Sequence, residues 1–378
     1  MFKVMTILGT RPEIIKMSRI INLFDKNVNH VLVHTGQSYD YELNEIFFDE
    51  LKIRKPDYFL EAIASTAIKT IAKIIENVDD VLIKEKPDAV LLYGDTNSSL
   101  SVIAAKRHKI PIFHLEAGNR CFDQRVPEEL NRRLVDHMSD INFVLTEHAR
   151  RYLISEGLKH EQIFKTGSHM HEVLNYYMPE IIRSDILSRI GIKKRKYFLI
   201  SIHREENVDY ENKLTEIVDT LNELAEQYNF PMIVSFHPRT KNKLDIFGLK
   251  KLNSNIKFHK PFGFFDYIKL QMEAFCVISD SGTITEEASL LNLRAITLRE
   301  SHERPEGMDE GTLIMTGLKK DRVINAVKVI DSQYNENTAY KVKDYEKENV
   351  SNHVLKVVMS YIDYINVNTW KKFNGLDK

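Results

Sequence analysis

The chain has 378 residues, 28% of them charged, with 53 Lys and Arg against 54 Asp and Glu and a formal net charge of −1. That length is too great for one comfortable core and suits two α/β domains. The even charge, with no long basic block, speaks against nucleic acid or an anionic membrane as partner. Two cysteines, Cys121 and Cys276, stand far apart, which speaks against a disulfide framework or a thiolate metal cluster. The opening residues, 1–10, are apolar and run straight into a turn, so they read as a buried strand, not a secretory peptide. No stretch approaches the roughly 18 apolar residues of a membrane span, and a cytoplasmic location is expected.

Short apolar runs alternate with segments of helical period. In the first half Lys3–Leu8, His30–Thr35, Ala89–Tyr93, Ile112–Leu115 and Asn142–Leu145 read as strands, with helices over Ala67–Lys84 and Ser98–His108. The pattern restarts after the polar stretch Ser184–Lys196, the best linker candidate. Strands follow at Tyr197–Ile202, Met232–Ser235, Ile256–Phe258, Cys276–Ser279 and Ala295–Leu298, and helices at Glu211–Tyr228, Phe264–Ala274 and Thr285–Leu291. Alternation of this kind implies two parallel sheets with helices on both faces. The expected domains are residues 1–175 and 185–350, with a helical tail, 351–378, packing back on the first.

Chemistry-bearing residues gather just after these strands, where open α/β sheets hold their ligands. Gly9-Thr10-Arg11-Pro12-Glu13 with Lys16 is either an anion site at a helix start or a capped turn with solvated cations. Asp95, in Gly94-Asp95-Thr96, either caps a helix or serves chemistry. Glu116, in His114-Leu115-Glu116-Ala117-Gly118, emerges from an apolar strand end, where burial raises a carboxyl toward general acid or base use. Pro127-Glu128-Glu129 opens a helix, and at most one of its adjacent glutamates faces a site. His203, in His203-Arg204-Glu205-Glu206-Asn207, and His237 close two strands of the second half. Ser281-Gly282-Thr283 leads a helix and suits phosphate, with Glu287 one turn on for ribose hydroxyls. Arg304, in Glu303-Arg304-Pro305-Glu306, suits a pyrophosphate. Each motif alone is weak; seven at strand ends are strong. No G-x-G-x-x-G follows the first strand, no Walker lysine loop is present, and His169 and His171 lack the company of a metal set.

Taken together, GTRPEIIK, YGDTNSS, HLEAG, PEELNRR, SIHREEN, SDSGTITEE and ERPE resemble the non-hydrolysing UDP-N-acetylglucosamine 2-epimerase family from about residue 3 to residue 320. The resemblance implies an α/β fold of the GT-B type: two Rossmann-like, doubly wound domains with a central cleft, UDP held by the second. It implies no metal and no nicotinamide cofactor. A base takes the carbon-2 proton as UDP leaves carbon 1, and UDP then adds back to the 2-acetamido glycal. By motif position Asp95, Glu116 and Glu128 are the acid/base carboxylates and His203 steadies the departing UDP. Arg11, Lys16, Arg132, His237, Ser281, Gly282, Thr283, Glu287 and Arg304 are the substrate-binding residues. A homodimer is expected from the family, with UDP and a UDP-linked 2-acetamido sugar as partners.

Two departures bear on substrate. The phosphate loop has Thr283 where many members carry a second glycine. The segment from Thr35 to Asn44 lacks the basic residues of substrate-activated members. With Arg54-Lys55-Pro56-Asp57-Tyr58, it resembles the branch that forms UDP-N-acetyl-L-fucosamine from UDP-2-acetamido-2,6-dideoxy-L-talose for capsule or O-antigen. UDP-GlcNAc/UDP-ManNAc epimerisation is the alternative. A hydrolysing epimerase, a GT-B glycosyltransferase and a catalytically silent UDP-sugar sensor are the rivals.

Overall fold

A computed structural model describes residues 1–36, 41–202, 204–235, 243–244, 246–248, 252–333 and 340–372, apart from the side chains of 41–45, 205 and 206. The chain divides into two compact units, Met1–Tyr176 with Asp344–Lys378, and Tyr177–Lys343.

The first unit carries β1 (Lys3–Leu8), β2 (Asn29–His34), β3 (Tyr58–Phe59), β4 (Ala89–Tyr93), β5 (Ile112–Ala117), β6 (Ile141–Val144) and β7 (Ile163–Lys165). They form one sheet in the order β3-β2-β1-β4-β5-β6-β7, with every pairing parallel. All five residues of β4 are buried. Such a strand needs cover on both faces, and a continuous apolar run with helical crossovers supplies it. The helix Ala67–Glu85 turns Ile74, Val78, Val81 and Leu82 into that core, and Thr66 caps it by accepting from the Lys69 amide.

The helix expected over Ser98–His108 is broken. A 3₁₀ turn, Asn97–Ser101, precedes a short α-helix, Val102–Arg107. The Ser99 hydroxyl donates to the Tyr93 carbonyl and that of Ser101 to the Ser98 carbonyl. Buried hydroxyls that bond nearby backbone compete with the α-helical ladder, and here they tighten its first turn.

The tail is one helix, Val350–Asn368, packed in the first unit against the helix Arg11–Asn27. It is pinned where Glu172 accepts from both the amide and the hydroxyl of Ser351, at 2.7 and 2.5 Å.

The second unit carries β8 (Phe198–Ser201), β9 (Met232–Ser235), β10 (Ile256–His259), β11 (Cys276–Ser279), β12 (Ala295–Thr297) and β13 (Ile314–Met315), parallel throughout, in the order β10-β9-β8-β11-β12-β13. The stretch Ser184–Lys196 is no free linker. Ile186 and Ile192 are buried in this unit's core, and the Ser184 hydroxyl donates to Asp266. Two apolar anchors outweigh the polar residues around them. The division between the units falls inside the helix His169–Arg183.

In each sheet the strand order reverses beside the first strand, between β1 and β4 and between β8 and β11. Loops leaving those neighbouring strands diverge to opposite faces, which opens a crevice at the carboxyl edge. The end of β5 adds to the first crevice. Its pairing with β6 slips between Leu115 and Ala117, and Glu116 adopts φ +63°. A non-glycine residue there is strained by about 1–3 kcal/mol. Gly118 follows at φ +81°, where an added Cβ would lie 2.6 Å from the Ala149 carbonyl oxygen. Gly118→Ala is expected to destabilise the protein by roughly 2 kcal/mol or more, because the turn is both left-handed and crowded. Thermal melting beside wild type checks it, and an unchanged midpoint would refute the crowding.

Candidate active site

Three loops meet at the carboxyl edge of the first sheet. The turn after β1 starts the helix Arg11–Asn27, with Pro12 in its first turn. Glu13 lies buried in that turn and binds it to the next. Its Oε2 accepts from the amides of Gly9 and Thr10 at 2.6 and 2.9 Å, and its Oε1 from the Thr96 hydroxyl at 2.5 Å. Burial pushes its carboxyl up to about 7, against the pull of Thr96, Gly9 and Thr10, with Asp95 adding a little repulsion.

Two carboxylate–cation pairs stand on this scaffold. Lys16, almost wholly buried, donates to Glu116 Oε2 at 2.5 Å, and the Tyr93 hydroxyl donates to the same oxygen at 2.6 Å. Asp95, about a quarter exposed, pairs with the buried Arg132 at 2.7 Å. The Arg132 guanidinium also reaches Glu129 Oε2 at 3.3 Å, and Asn131 donates to the Asp95 carbonyl at 2.9 Å. The helix Pro127–Met138 thus supports the Asp95 turn from below. Its adjacent glutamates separate as expected of neighbours on a helix: Glu128 is exposed, whereas Glu129 is buried and accepts from the amides of Cys121 and Phe122. Arg11 sets its guanidinium over the Phe47 ring, 5.9 Å from the centroid.

Beneath the two pairs runs a buried network that the sequence did not disclose. His114 places Nδ1 2.9 Å from Asp136 and Nε2 2.8 Å from the Gly94 carbonyl. Asp136 also accepts from the Gly118 amide at 3.2 Å and from Arg120 at 2.7 Å, and Arg120 continues as a fork onto Glu156. Burial pushes the Asp136 carboxyl up, but the hydrogen bonds and charges of His114 and Arg120 outweigh it and hold the carboxyl below its ordinary value.

In the second unit the loop after β11 carries the expected phosphate residues. The Ser281 and Thr283 hydroxyls are 3.0 Å apart, and Thr283 donates to Glu287 Oε1 at 3.0 Å. Since Thr283 has one hydroxyl proton, Ser281 is the donor between them. Gln271 donates to the other oxygen of Glu287 at 2.6 Å. Gly282 admits a close approach: a Cβ there would sit 3.2 Å from Arg299 Nη1 and 3.3 Å from Glu303 Oε2. Arg304 is buried, paired with Glu286 at 2.9 Å and donating to the Gly282 carbonyl at 3.1 Å. Asp280 accepts from the Arg204 amide and the Asn207 side chain, each at 3.0 Å, and so fixes the loop after β8.

The first unit therefore brings Lys16 to Glu116 and Arg132 to Asp95, and the second joins Ser281, Gly282 and Thr283 of the loop after β11 to Glu287 in the helix Ile284–Leu291 and to Arg304, which precedes the helix Pro305–Asp309. His203 and His237 lie outside the described residues, as do residues 37–40 of the segment from Thr35 to Asn44 on which, with residues 54–58, the substrate branch was read. Tyr93, Glu13, His114 and Asp136 are the site neighbours that sequence reasoning missed. Each sits inside a quoted motif or one helical turn from one, the only signal available. No group of three or more His, Cys, Asp or Glu placed to hold a metal ion occurs among the described residues. No helix among them is long and apolar enough to cross a membrane.

A family profile described as UDP-N-acetylglucosamine 2-epimerase matches residues 23–359. The solved structure of UDP-N-acetylglucosamine 2-epimerase from Rickettsia bellii superposes with a TM-score of 0.94 at 59% identity, covering 98% of this chain and 100% of that one. Methanocaldococcus jannaschii UDP-GlcNAc 2-epimerase, solved in complex with UDP-GlcNAc and UDP, gives 0.88 at 35% identity over 95% and 99% of the two chains. A Pseudomonas aeruginosa UDP-2,3-diacetamido-2,3-dideoxy-D-glucuronate 2-epimerase is 34% identical over 333 residues, 86% of this chain and 91% of that protein. The two Rossmann-like sheets are of the GT-B class shared by these structures. With its doubly wound halves and its paired carboxylates at a switch point, the chain belongs to the UDP-N-acetylglucosamine 2-epimerase family and so to the carbohydrate epimerases.

Proposed function

We propose that the chain inverts carbon 2 of a UDP-linked 2-acetamido sugar by eliminating and re-adding UDP. The observation that carries this is the pairing of Glu116 with Lys16 and of Asp95 with Arg132 on adjacent strand-end turns. A carbon–hydrogen bond beside an acetamido group is weakly acidic, so its removal needs a positioned carboxylate and a stabilised leaving group. One carboxylate accepts the carbon-2 proton. The C–H electron pair becomes the C1–C2 double bond, and UDP departs with the C1–O pair. UDP returns to carbon 1 as a proton is delivered to the opposite face of carbon 2. Asp95, Glu116 and Glu128 are the acid/base groups of this reading, with His203 steadying UDP. Ser281, Gly282, Thr283, Glu287, His237 and Arg304 bind UDP, Arg304 chiefly by holding the loop through the Gly282 carbonyl. Arg11, Lys16 and Arg132 serve the sugar side, the last two by charging their carboxylate partners.

For the sugar, the reading is UDP-2-acetamido-2,6-dideoxy-L-talose, giving UDP-N-acetyl-L-fucosamine for a surface polysaccharide such as capsule. It rests on the resemblance of the segment from Thr35 to Asn44 to that branch. UDP-GlcNAc is the second reading, favoured by the names of the Rickettsia and Methanocaldococcus relatives. The enzyme is read as a cytoplasmic homodimer that needs neither metal nor nicotinamide.

Proton NMR in D₂O, without added metal or NAD, decides the reaction. Deuterium at carbon 2 of a sugar still linked to UDP is expected, faster with the talose derivative than with UDP-GlcNAc. Free sugar with UDP would indicate hydrolysis instead, and no exchange with either would refute epimerisation. Asp95→Asn, Glu116→Gln and Glu128→Gln are each expected to lower kcat by about 100-fold or more, the usual scale for general acid–base groups. UDP affinity by calorimetry should remain within about twofold. Near-wild-type turnover in all three would sink the assignment. Arg304→Ala is expected to weaken UDP binding by about tenfold or more, as loss of a charged hydrogen bond implies. An unchanged calorimetric Kd would remove Arg304 from the UDP site.

A further inference from the structure

We propose that Tyr93 is a positioning residue for Glu116, its hydroxyl acting with Lys16 to hold that carboxylate ionised and fixed as the resting base. The proposal rests on the epimerase reading above and adds a residue to it.

Tyr93 closes β4 and is 4% exposed, so its phenol has been taken out of water and needs a partner. The partner is Glu116 Oε2, 2.6 Å away, the same oxygen that Lys16 Nζ approaches at 2.5 Å. A phenol is neutral near pH 7 and donates its proton to the carboxylate. Two donors on one oxygen favour the ionised carboxyl and restrict its rotation. Restriction matters here because Glu116 stands at φ +63° at the slip between β5 and β6. A backbone in that region persists only when its surroundings over-determine it.

The phenol is itself held. Its ring stands edge-on to the His169 ring, with centroids 5.4 Å apart, and Lys16 Nζ lies 5.7 Å from its centroid. The titratable groups packed on this cluster include Lys16 from the helix Arg11–Asn27, Tyr93 from β4 and His169 from the helix His169–Arg183. Asp95, two residues beyond Tyr93, is turned to Arg132. Tyr93 thus joins the two carboxylates: its side chain orients one, and its main chain leads into the turn that bears the other.

The sign of the effect follows. Donors to the ionised form lower the pH at which Glu116 takes up a proton, so deleting one raises it. A base that works as its anion loses activity below that pH, and the acid limb of kcat/KM moves upward. The test measures carbon-2 deuterium exchange against pH for wild type and Tyr93→Phe, using whichever of UDP-GlcNAc and UDP-2-acetamido-2,6-dideoxy-L-talose the wild type exchanges faster. Melting curves and UDP calorimetry run on both proteins to confirm an intact fold. Tyr93→Phe is expected to lower kcat by about tenfold, the scale of one hydrogen bond to a charged group, and to raise the acid limb by about one pH unit. KM should stay within about twofold. A wild-type acid limb in Tyr93→Phe would overturn the proposal whether or not kcat falls, because lost packing alone does not move that limb. Absence of exchange in wild type would overturn the epimerase reading and the positioning role with it.

Discussion

A charge removed from water must find its counter-charge or its hydrogen bonds within the protein, or it will not remain charged. The interior of the first unit is organised around that demand at Asp136. One carboxylate, wholly buried, gathers His114, Arg120 and the Gly118 amide, and His114 carries the connection across to the Gly94 carbonyl. Each ring nitrogen of His114 faces an oxygen, so the ring bridges Asp136 and the Gly94 carbonyl. Gly94 precedes Asp95, and Gly118 lies two residues beyond Glu116. The two turns are tied to one buried centre, and neither carboxylate can move without disturbing it. Breaking such a network at one member leaves the others charged and unmatched, so its parts stand or fall together.

That arrangement explains which parts of the molecule were legible in the sequence. The apolar runs of β1, β4, β9 and β11 announce themselves, because a central parallel strand buried on both faces has no room for polar alternation. The positions of Asp95 and Glu116 at strand ends were equally plain. What pairs with them was not. Lys16 and Glu116 are 100 residues apart and Asp95 and Arg132 are 37, and no periodicity encodes a contact made by sheet order. The strands β3, β7 and β13, two or three residues each, escaped for a related reason. A strand so short is defined by the neighbour it pairs with, not by its own propensity. Arg304 shows the limit from the other side. Its motif suggested an arginine offered to phosphate, but not the contacts it makes within the protein, with Glu286 and the Gly282 carbonyl.

The two units repeat one topology and use it oppositely. In the first, carboxylates at the switch point are matched to cations yet keep some access: Asp95 and Glu116 are partly exposed, and Glu128 is open. In the second, the acidic groups near the phosphate loop are withdrawn. Glu286 is paired with Arg304, Glu303 is forked onto Arg299, Asp280 is bound to the Arg204 amide and Asn207, and Glu287 is bound by Gln271 and Thr283. Hydroxyls and backbone remain at the front of the loop, where the helix Ile284–Leu291 begins. On the proposed reading this loop receives a diphosphate, and bare negative charge there would repel it at a cost of several kcal/mol in a partly dry setting.

In the proposed reaction the same logic sets the tasks of the two halves apart. A leaving group carrying most of the negative charge of the reaction is best met by neutral donors and a helix start that need no reorganisation as charge develops. A proton on carbon demands the opposite, a carboxylate kept ionised by nearby cations yet able to exchange its proton. Lys16 and Arg132 provide that setting, and their own burial makes them poor solvated charges and strong partners. Glu13 belongs to the same scheme: no cation pairs with it among the described residues, and its carboxyl is pushed up to about 7 by burial, so it serves best as the clasp between the Gly9–Thr10 amides and Thr96. One fold thus holds two electrostatic environments, and the difference is written in which side chains are turned inward, not in the order of the strands.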